Sequence, residues 1–324
     1  MRPIFVLAIV LLTACQTPKT RPSSPFASGP QKLLDAHAGE GPAYAPEWGL
    51  LFSGGGNISR YEGAGESQVF REKAGSNGLL FDGQGRLIIC EPVQRRVTRL
   101  DAEDRLTVLT DEYEGKRYNQ PNDLTLDSQG RIYFTDPRYG DREGMEQRDP
   151  EGRAIEGVYR IDPDGGVSRI ITHEVDRPNG LFITPDDRFI YIADNNNNNV
   201  GGARQLWKFR LLRDGTVDID SQELIYDWKS GRGPDGMARD HAGFLYVAGG
   251  RTQANPPAET ADPFLGGIYV FSPEDQLIDF VAIPHDEVTN CAFGGRDSRD
   301  LFITAGGTLW TIRTHAPGFQ SWDR

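Results

Sequence analysis

Six polar side chains recur at one position of an internal repeat: Glu40, Asn77, Asn122, Asn179, Asp235 and Asn290. Asn and Asp commonly fill such places as turn formers, bonding nearby backbone amides with their side chains. That account suffices for Asn77 and Asn290. It does not suffice for Glu40, whose longer side chain is a poor turn former, or for the carboxylate of Asp235. Two carboxylates beside an amide-lined axis repel unless a cation lies between them. Oxygen donors without a His or Cys nearby select a hard ion, calcium first, with magnesium or manganese as alternatives; zinc is a further candidate that this donor set does not favour. A divalent ion held this way can polarise a carbonyl and activate water. No covalent nucleophile is then needed, and the chain has no Gly-x-Ser-x-Gly elbow. His37, His173, His241, His285 and His315 form no cluster.

Each recurring residue opens a unit of an apolar step, a turn and a β-rich run. Examples are Asn77-Gly-Leu-Leu-Phe to Leu87-Ile-Ile and Asn179-Gly-Leu-Phe-Ile to Ile190-Tyr-Ile. A third strand follows each pair (Ile58–Tyr61, Val97–Leu100, Val158–Ile161, Leu206–Phe209, Ile268–Phe271 and Leu309–Ile312). Five copies carry a fourth, and the sixth runs out of chain. Lys32-Leu-Leu34 is left over at the other end and has the spacing to complete that last copy. The pattern predicts an all-β, six-bladed propeller of four antiparallel strands per blade, its ring closed by the N-terminal strand. In this topology the blade-to-blade links and the links from strand two to strand three share one face. Pro137–Glu156, Asn195–Arg204 and Arg251–Gly266 are the longest of the latter, so they are expected to overhang one mouth beside the axis. The run Asn195–Asn199 reads as a polar turn.

Glu40-Gly-Pro, Gln120-Pro-Asn-Asp123, Phe134-Thr-Asp-Pro137 with Tyr139-Gly140, Arg177-Pro-Asn-Gly180 and Gly233-Pro-Asp-Gly-Met237 resemble the gluconolactonase/regucalcin (senescence marker protein) family. Gly115-Lys-Arg-Tyr-Asn-Gln-Pro-Asn-Asp123 resembles its bacterial gluconolactonase branch. The resemblance runs in order from about Glu40 to about Trp310. It implies a propeller with a divalent metal on its axis, held by Glu40, Asn179 and Asp235, with Asn122 direct or through water. It also implies that Asp235 is the general base opening a small sugar-type lactone. Asn122, Gln120, Asp123, Arg138 and Tyr139 are the substrate-contact candidates, with Asp136 near them. Gln120 stands where animal members carry a substrate-binding arginine. A propeller that only binds a ligand or protein partner is the alternative, since the fold serves both uses.

The rest bounds the setting. A formal charge of −12 over 324 residues argues against nucleic acid and against charge-driven binding to anionic lipid. Arg2, the apolar run Ile4–Leu12 and Leu12-Thr13-Ala14-Cys15 read as a lipoprotein signal over residues 1–14 with Cys15 lipidated. Residues 15–31, rich in Pro, Ser and Thr, read as a flexible tether, and 32–324 as the catalytic propeller. The expected location is the cell envelope, at the outer membrane facing the periplasm because Gln16 follows the cysteine, and the expected state is a monomer. Cys90 and Cys291 fall in non-adjacent repeats and are expected as buried free thiols.

Overall fold

The computed structural model describes residues 24–140, 142–261 and 264–323. Alternation of apolar and polar residues over short runs, punctuated by Gly and Asp turns, gives six antiparallel sheets of four strands each. The first comprises Glu40–Ala45, Gly49–Gly54, Asn57–Gly63 and Glu66–Arg71. The second comprises Leu79–Phe81, Leu87–Glu91, Arg96–Leu100 and Leu106–Thr110, and the third Leu124–Leu126, Ile132–Asp136, Gly157–Ile161 and Val167–Ile171. Pro178–Ile183, Phe189–Asn195, Arg204–Leu211 and Val217–Asp227 make the fourth. Met237–Arg239, Leu245–Gly249, Gly267–Phe271 and Leu277–Ala282 make the fifth. The sixth holds Val288–Gly294, Asp300–Ala305 and Gly307–Arg313, and its outer strand is Gln31–Ala38 from the other end of the chain. Lys32 pairs with Trp310 and Leu34 with Leu309, so the closure expected from the spare N-terminal strand is present.

Apolar residues fill the spaces between neighbouring blades. Ile88, Cys90 and Val97 of the second blade share one cluster with Leu124, Phe134 and Tyr159 of the third. Tyr246 and Ile268 of the fifth share another with Phe293 and Ile303 of the sixth. Cys90 and Cys291 are both buried and free, so they serve as small apolar fillers. The glycines that follow the recurring polar residues set how closely the innermost strands approach. A Cβ on Gly180 would lie 2.1 Å from the Asp235 carbonyl oxygen, and one on Gly236 would lie 1.9 Å from Asn290 Oδ1. Only glycine allows adjacent blades to meet this tightly at the axis.

The last residues cross the face of the ring opposite the long links. Phe319 N donates to Arg239 O at 2.8 Å, and Gln320 Nε2 donates to Phe293 O at 3.0 Å. Ser321 Oγ donates to Phe81 O, and the Phe319 ring packs on Phe182 with centroids 6.4 Å apart. One short segment thereby ties the second, fourth, fifth and sixth blades together and roofs a cavity of about 110 Å³ on that side.

The segment expected to be a tether is engaged earlier than its composition suggests. Ala27 N donates to Arg313 O at 2.7 Å, His315 N donates to Pro25 O at 2.9 Å, and Phe26 packs edge-on against Tyr246 at 5.7 Å. A single aromatic residue supplies the apolar contact that the Pro- and Ser-rich surroundings lack. The signal segment 1–14 and Cys15 lie outside the described residues.

Candidate functional site

The innermost strands and the links that enter them bring the recurring polar residues to the axis; Asn122, Asn179, Asp235 and Asn290 are buried, while Glu40 and Asn77 are partly so. Asn122 is 6% exposed, Asn179 4% and Asp235 2%. Asp123 follows Asn122 and points a third carboxyl inward, 9% exposed. The Asn290 amide nitrogen sits between two of these acids, donating to Asp123 Oδ2 at 3.2 Å and to Glu40 Oε2 at 3.4 Å. Its oxygen accepts from Cys291 N at 2.8 Å, the turn-capping bond expected of it. Asn77 departs from that expectation: its Oδ1 is buried without a partner.

Burial is the first cause of the high proton affinity of this cluster. It pushes the Asp235 carboxyl up to about 8, with Arg232 pulling the other way and Asp123 and Glu287 adding repulsion. Asp123 is pushed up to about 6, again by burial. Glu40 is raised well above the usual carboxylate range by burial and then by the charges of Asp235 and Asp123. Three acids crowded at one axis thus resist ionising together.

Three of the recurring residues present an oxygen that lacks a hydrogen-bond partner among the described residues: Asn77 Oδ1, Asn179 Oδ1 and Asp235 Oδ1, the last two on adjacent blades. Buried polar atoms are nearly always satisfied, so a pair of orphans on adjacent blades marks where a cation or water belongs. Among the described residues no three His, Cys, Asp or Glu side chains converge closely enough to hold an ion by themselves. Any ion here depends on amide oxygens as well as carboxylates. The donor set Glu40, Asn122, Asn179 and Asp235 has that composition.

The long links do meet at one mouth. A cavity of about 450 Å³ is lined by Tyr139 from one, Asn195, Asn197 and Asn198 from the second, and Asn255 to Glu259 from the third. Arg232 and Glu287 complete it from blade-to-blade links. Tyr139 is the one substrate-contact candidate that lines this cavity. Gln120 is committed elsewhere, its Oε1 accepting from Tyr139 N at 2.8 Å. Asp136 accepts from the backbone amides of Asn119 and Gln120, both at 2.8 Å, and holds that strand entry in place. Asp123 borders the cavity on the opposite side of the ring. Arg138 donates its backbone N–H to Glu156 at 2.9 Å. Glu156 also grips Arg177 at 2.9 Å, and the Arg177 guanidinium lies over the Tyr139 ring at 5.2 Å.

Two groups were not singled out from the sequence. Arg232 lies 3.6 Å from Asp235 Oδ2 and 3.1 Å from both Glu259 and Glu287. Its place between two glycines, three residues before Asp235, is the only sequence signal it leaves. Asn195 is fully buried and donates to Asp235 Oδ2 at 3.3 Å. The run that begins at Asn195 is therefore more than a polar turn: Asn197 Oδ1 accepts from Gly233 N at 2.8 Å and braces the link that carries Asp235.

A family model described as SMP-30/Gluconolactonase/LRE-like region matches residues 38–307. The chain belongs to this family. It is 30% identical over 256 residues to a gluconolactonase of Zymomonas mobilis, an alignment that covers 77% of this chain and 65% of that one. The chain thus spans just under two thirds of that relative's length. A solved gluconolactonase from Xanthomonas campestris superposes with a TM-score of 0.70 at 31% identity, covering 88% of this chain and 89% of that one. The calcium-binding protein regucalcin from Agrobacterium tumefaciens shares the fold, with a TM-score of 0.66 at 18% identity over 91% of this chain and 96% of that one.

Proposed function

We propose that this protein hydrolyses a small sugar-type lactone with the help of a divalent ion, calcium first. The observation that carries the reading is the pair of buried, unpartnered oxygens on Asn179 and Asp235, set beside the mouth cavity. The names of the Zymomonas and Xanthomonas relatives, both gluconolactonases, support the reaction class. Asn179 and Asp235, with Glu40 and Asn122, would hold the ion. When bound, it supplies a Lewis acid for the ring carbonyl and a positive charge that keeps the nearby carboxylates ionised.

The chain's own residues do the rest. Asp235 takes a proton from water as that water's oxygen adds to the lactone carbonyl carbon. The bond from that carbon to the ring oxygen then breaks, and the departing oxygen recovers the proton from Asp235, giving the open hydroxy acid. Burial gives Asp235 the proton affinity for this work, and Arg232 at 3.6 Å favours its charged form. The Asn-lined mouth offers donors and acceptors suited to a neutral, hydroxylated ring.

The test is a panel of aldonolactones and apolar lactones assayed by proton release, with calcium present and after chelation. Calcium-dependent opening of a hydroxylated lactone is expected. No turnover with any ion would leave the site as that of a non-catalytic propeller.

A further inference from the structure

A chain of hydrogen bonds, each donor feeding the next acceptor, joins Asn179 and Asp235, two of the axial groups with unpartnered oxygens. Asn179 Nδ2 donates to the Tyr139 hydroxyl at 2.7 Å, and that hydroxyl donates to Asn195 Oδ1 at 3.4 Å. Asn195 Nδ2 then donates to Asp235 Oδ2 at 3.3 Å and to Pro234 O at 2.7 Å. Asn197 Nδ2 donates to Asn195 Oδ1 at 2.5 Å, which fixes which end of the Asn195 amide is the acceptor. The direction has a consequence at each end. Asn179 spends its nitrogen on Tyr139, so its oxygen is left for the axis. Asp235 spends Oδ2 on Asn195 and Arg232, so its Oδ1 is left.

From this we infer that Tyr139 and Asn195 are positioning residues that orient Asn179 and Asp235 toward the ion; the inference rests on the ion reading above. An amide turned the other way would present N–H donors to a cation, so fixing its direction decides whether Asn179 can be a ligand at all. Partners outside the ligand shell commonly set affinity in this manner. Both positioning residues are themselves anchored. Arg177 lies over the Tyr139 ring and is held by Glu156, while Asn195 is fully buried at the end of its strand.

The experiment compares wild type, Tyr139→Phe, Asn195→Leu and the double variant by calcium titration calorimetry, with melting of the ion-free proteins alongside. Tyr139→Phe removes one oxygen and keeps the ring, so it reports even if Asn195→Leu folds poorly. Each single variant is expected to bind calcium about 10- to 100-fold more weakly. The double variant should be little weaker than the worse single one, because one chain is cut either way. At saturating calcium, kcat for whichever lactone is turned over should be restored, whereas KM, which Tyr139 and Asn195 can also set from the mouth, does not enter the test. Wild-type affinity in Tyr139→Phe would overturn the inference, as would kcat that stays low at saturating calcium. A wild type that binds no divalent ion would overturn the ion reading and this inference together.

Discussion

Arg232 Nη2 lies 3.6 Å from Asp235 Oδ2, and the same guanidinium bonds Glu259 and Glu287 at 3.1 Å each. One buried cation therefore serves three carboxylates. Arg251 also pairs with Glu259, at 3.3 Å, and with Glu287. Among the described residues Asp235 has no second arginine, so its charge depends most on Arg232.

Arg232→Gln should accordingly act through Asp235. Removing one partner of a buried ion pair costs about 3–5 kcal/mol when the other stays charged. Asp235 can instead take up a proton, since its carboxyl is already pushed up to about 8. The ion-free variant should lose about 3 kcal/mol at pH 9 and much less at pH 6. Denaturant midpoints in the presence of chelator, at the two pH values, check this.

The axial acids also predict how the ion-free protein responds to pH. Asp235 at about 8 and Asp123 at about 6 both lie above their ordinary value of 3.8. The folded state then binds more protons than the unfolded one in the window between, so stability falls as pH rises. Their contribution is fully present below about pH 4 and is lost by about pH 8. Calcium, by holding the charged forms, should raise Tm more at pH 9 than at pH 5. Thermal melts across that range, with calcium and with chelator, test the sign. An ion-free protein more stable at pH 8 than at pH 5 would refute it.

The ring was legible because strand alternation and the axial repeat are local signals. Even the closure by Lys32–Leu34 followed from one copy lacking a strand and one strand lacking a copy. That Glu40, Asn179 and Asp235 come to the axis was legible because each is an acid or amide at a recurring place. Arg232 was not, because its partners Glu259 and Glu287 arrive on different links and only the fold brings them together. Asn195 was misread as part of a polar turn for a related reason. A strand end buried beside Asp235 looks, in sequence, like the start of a loop. The docking of Phe26 was hidden as well, since one aromatic in a Pro- and Ser-rich stretch carries no periodic signal.

Cys15 lies outside the described residues, and we propose that it carries the lipid anchor. Cys15→Ser should move the protein from the membrane fraction to the soluble fraction on expression in a bacterial host, with Tm unchanged. Persistent membrane association would refute the anchor.

Gly180→Ala tests how the axial repeat builds the site. The added methyl would sit 2.1 Å from the Asp235 carbonyl oxygen, and backbone must move to admit it. Overpacking of this kind costs about 1–3 kcal/mol, occasionally more. The displaced link carries Asp235, so calcium affinity should fall with stability. Gly29→Ala, where a Cβ meets nothing within 4 Å, is the matched control and should be silent in melting and calorimetry.

Asp235→Asn separates ligand from base. The substitution keeps shape and one oxygen while removing the negative charge and the proton-accepting lone pair. If Asp235 only holds the ion, excess calcium should restore turnover. If it also takes the proton from water, kcat should remain about 10²- to 10⁴-fold low at saturating calcium. The second outcome is expected, because burial gives this carboxyl a high proton affinity while Arg232 keeps it chargeable. Asn122→Ala removes an amide that cannot serve as a base, so its loss should be moderate and fall on calcium or substrate binding. Steady-state assays of both variants across a calcium titration decide the matter. Full turnover by Asp235→Asn would remove this carboxylate from proton transfer and leave it as a ligand only.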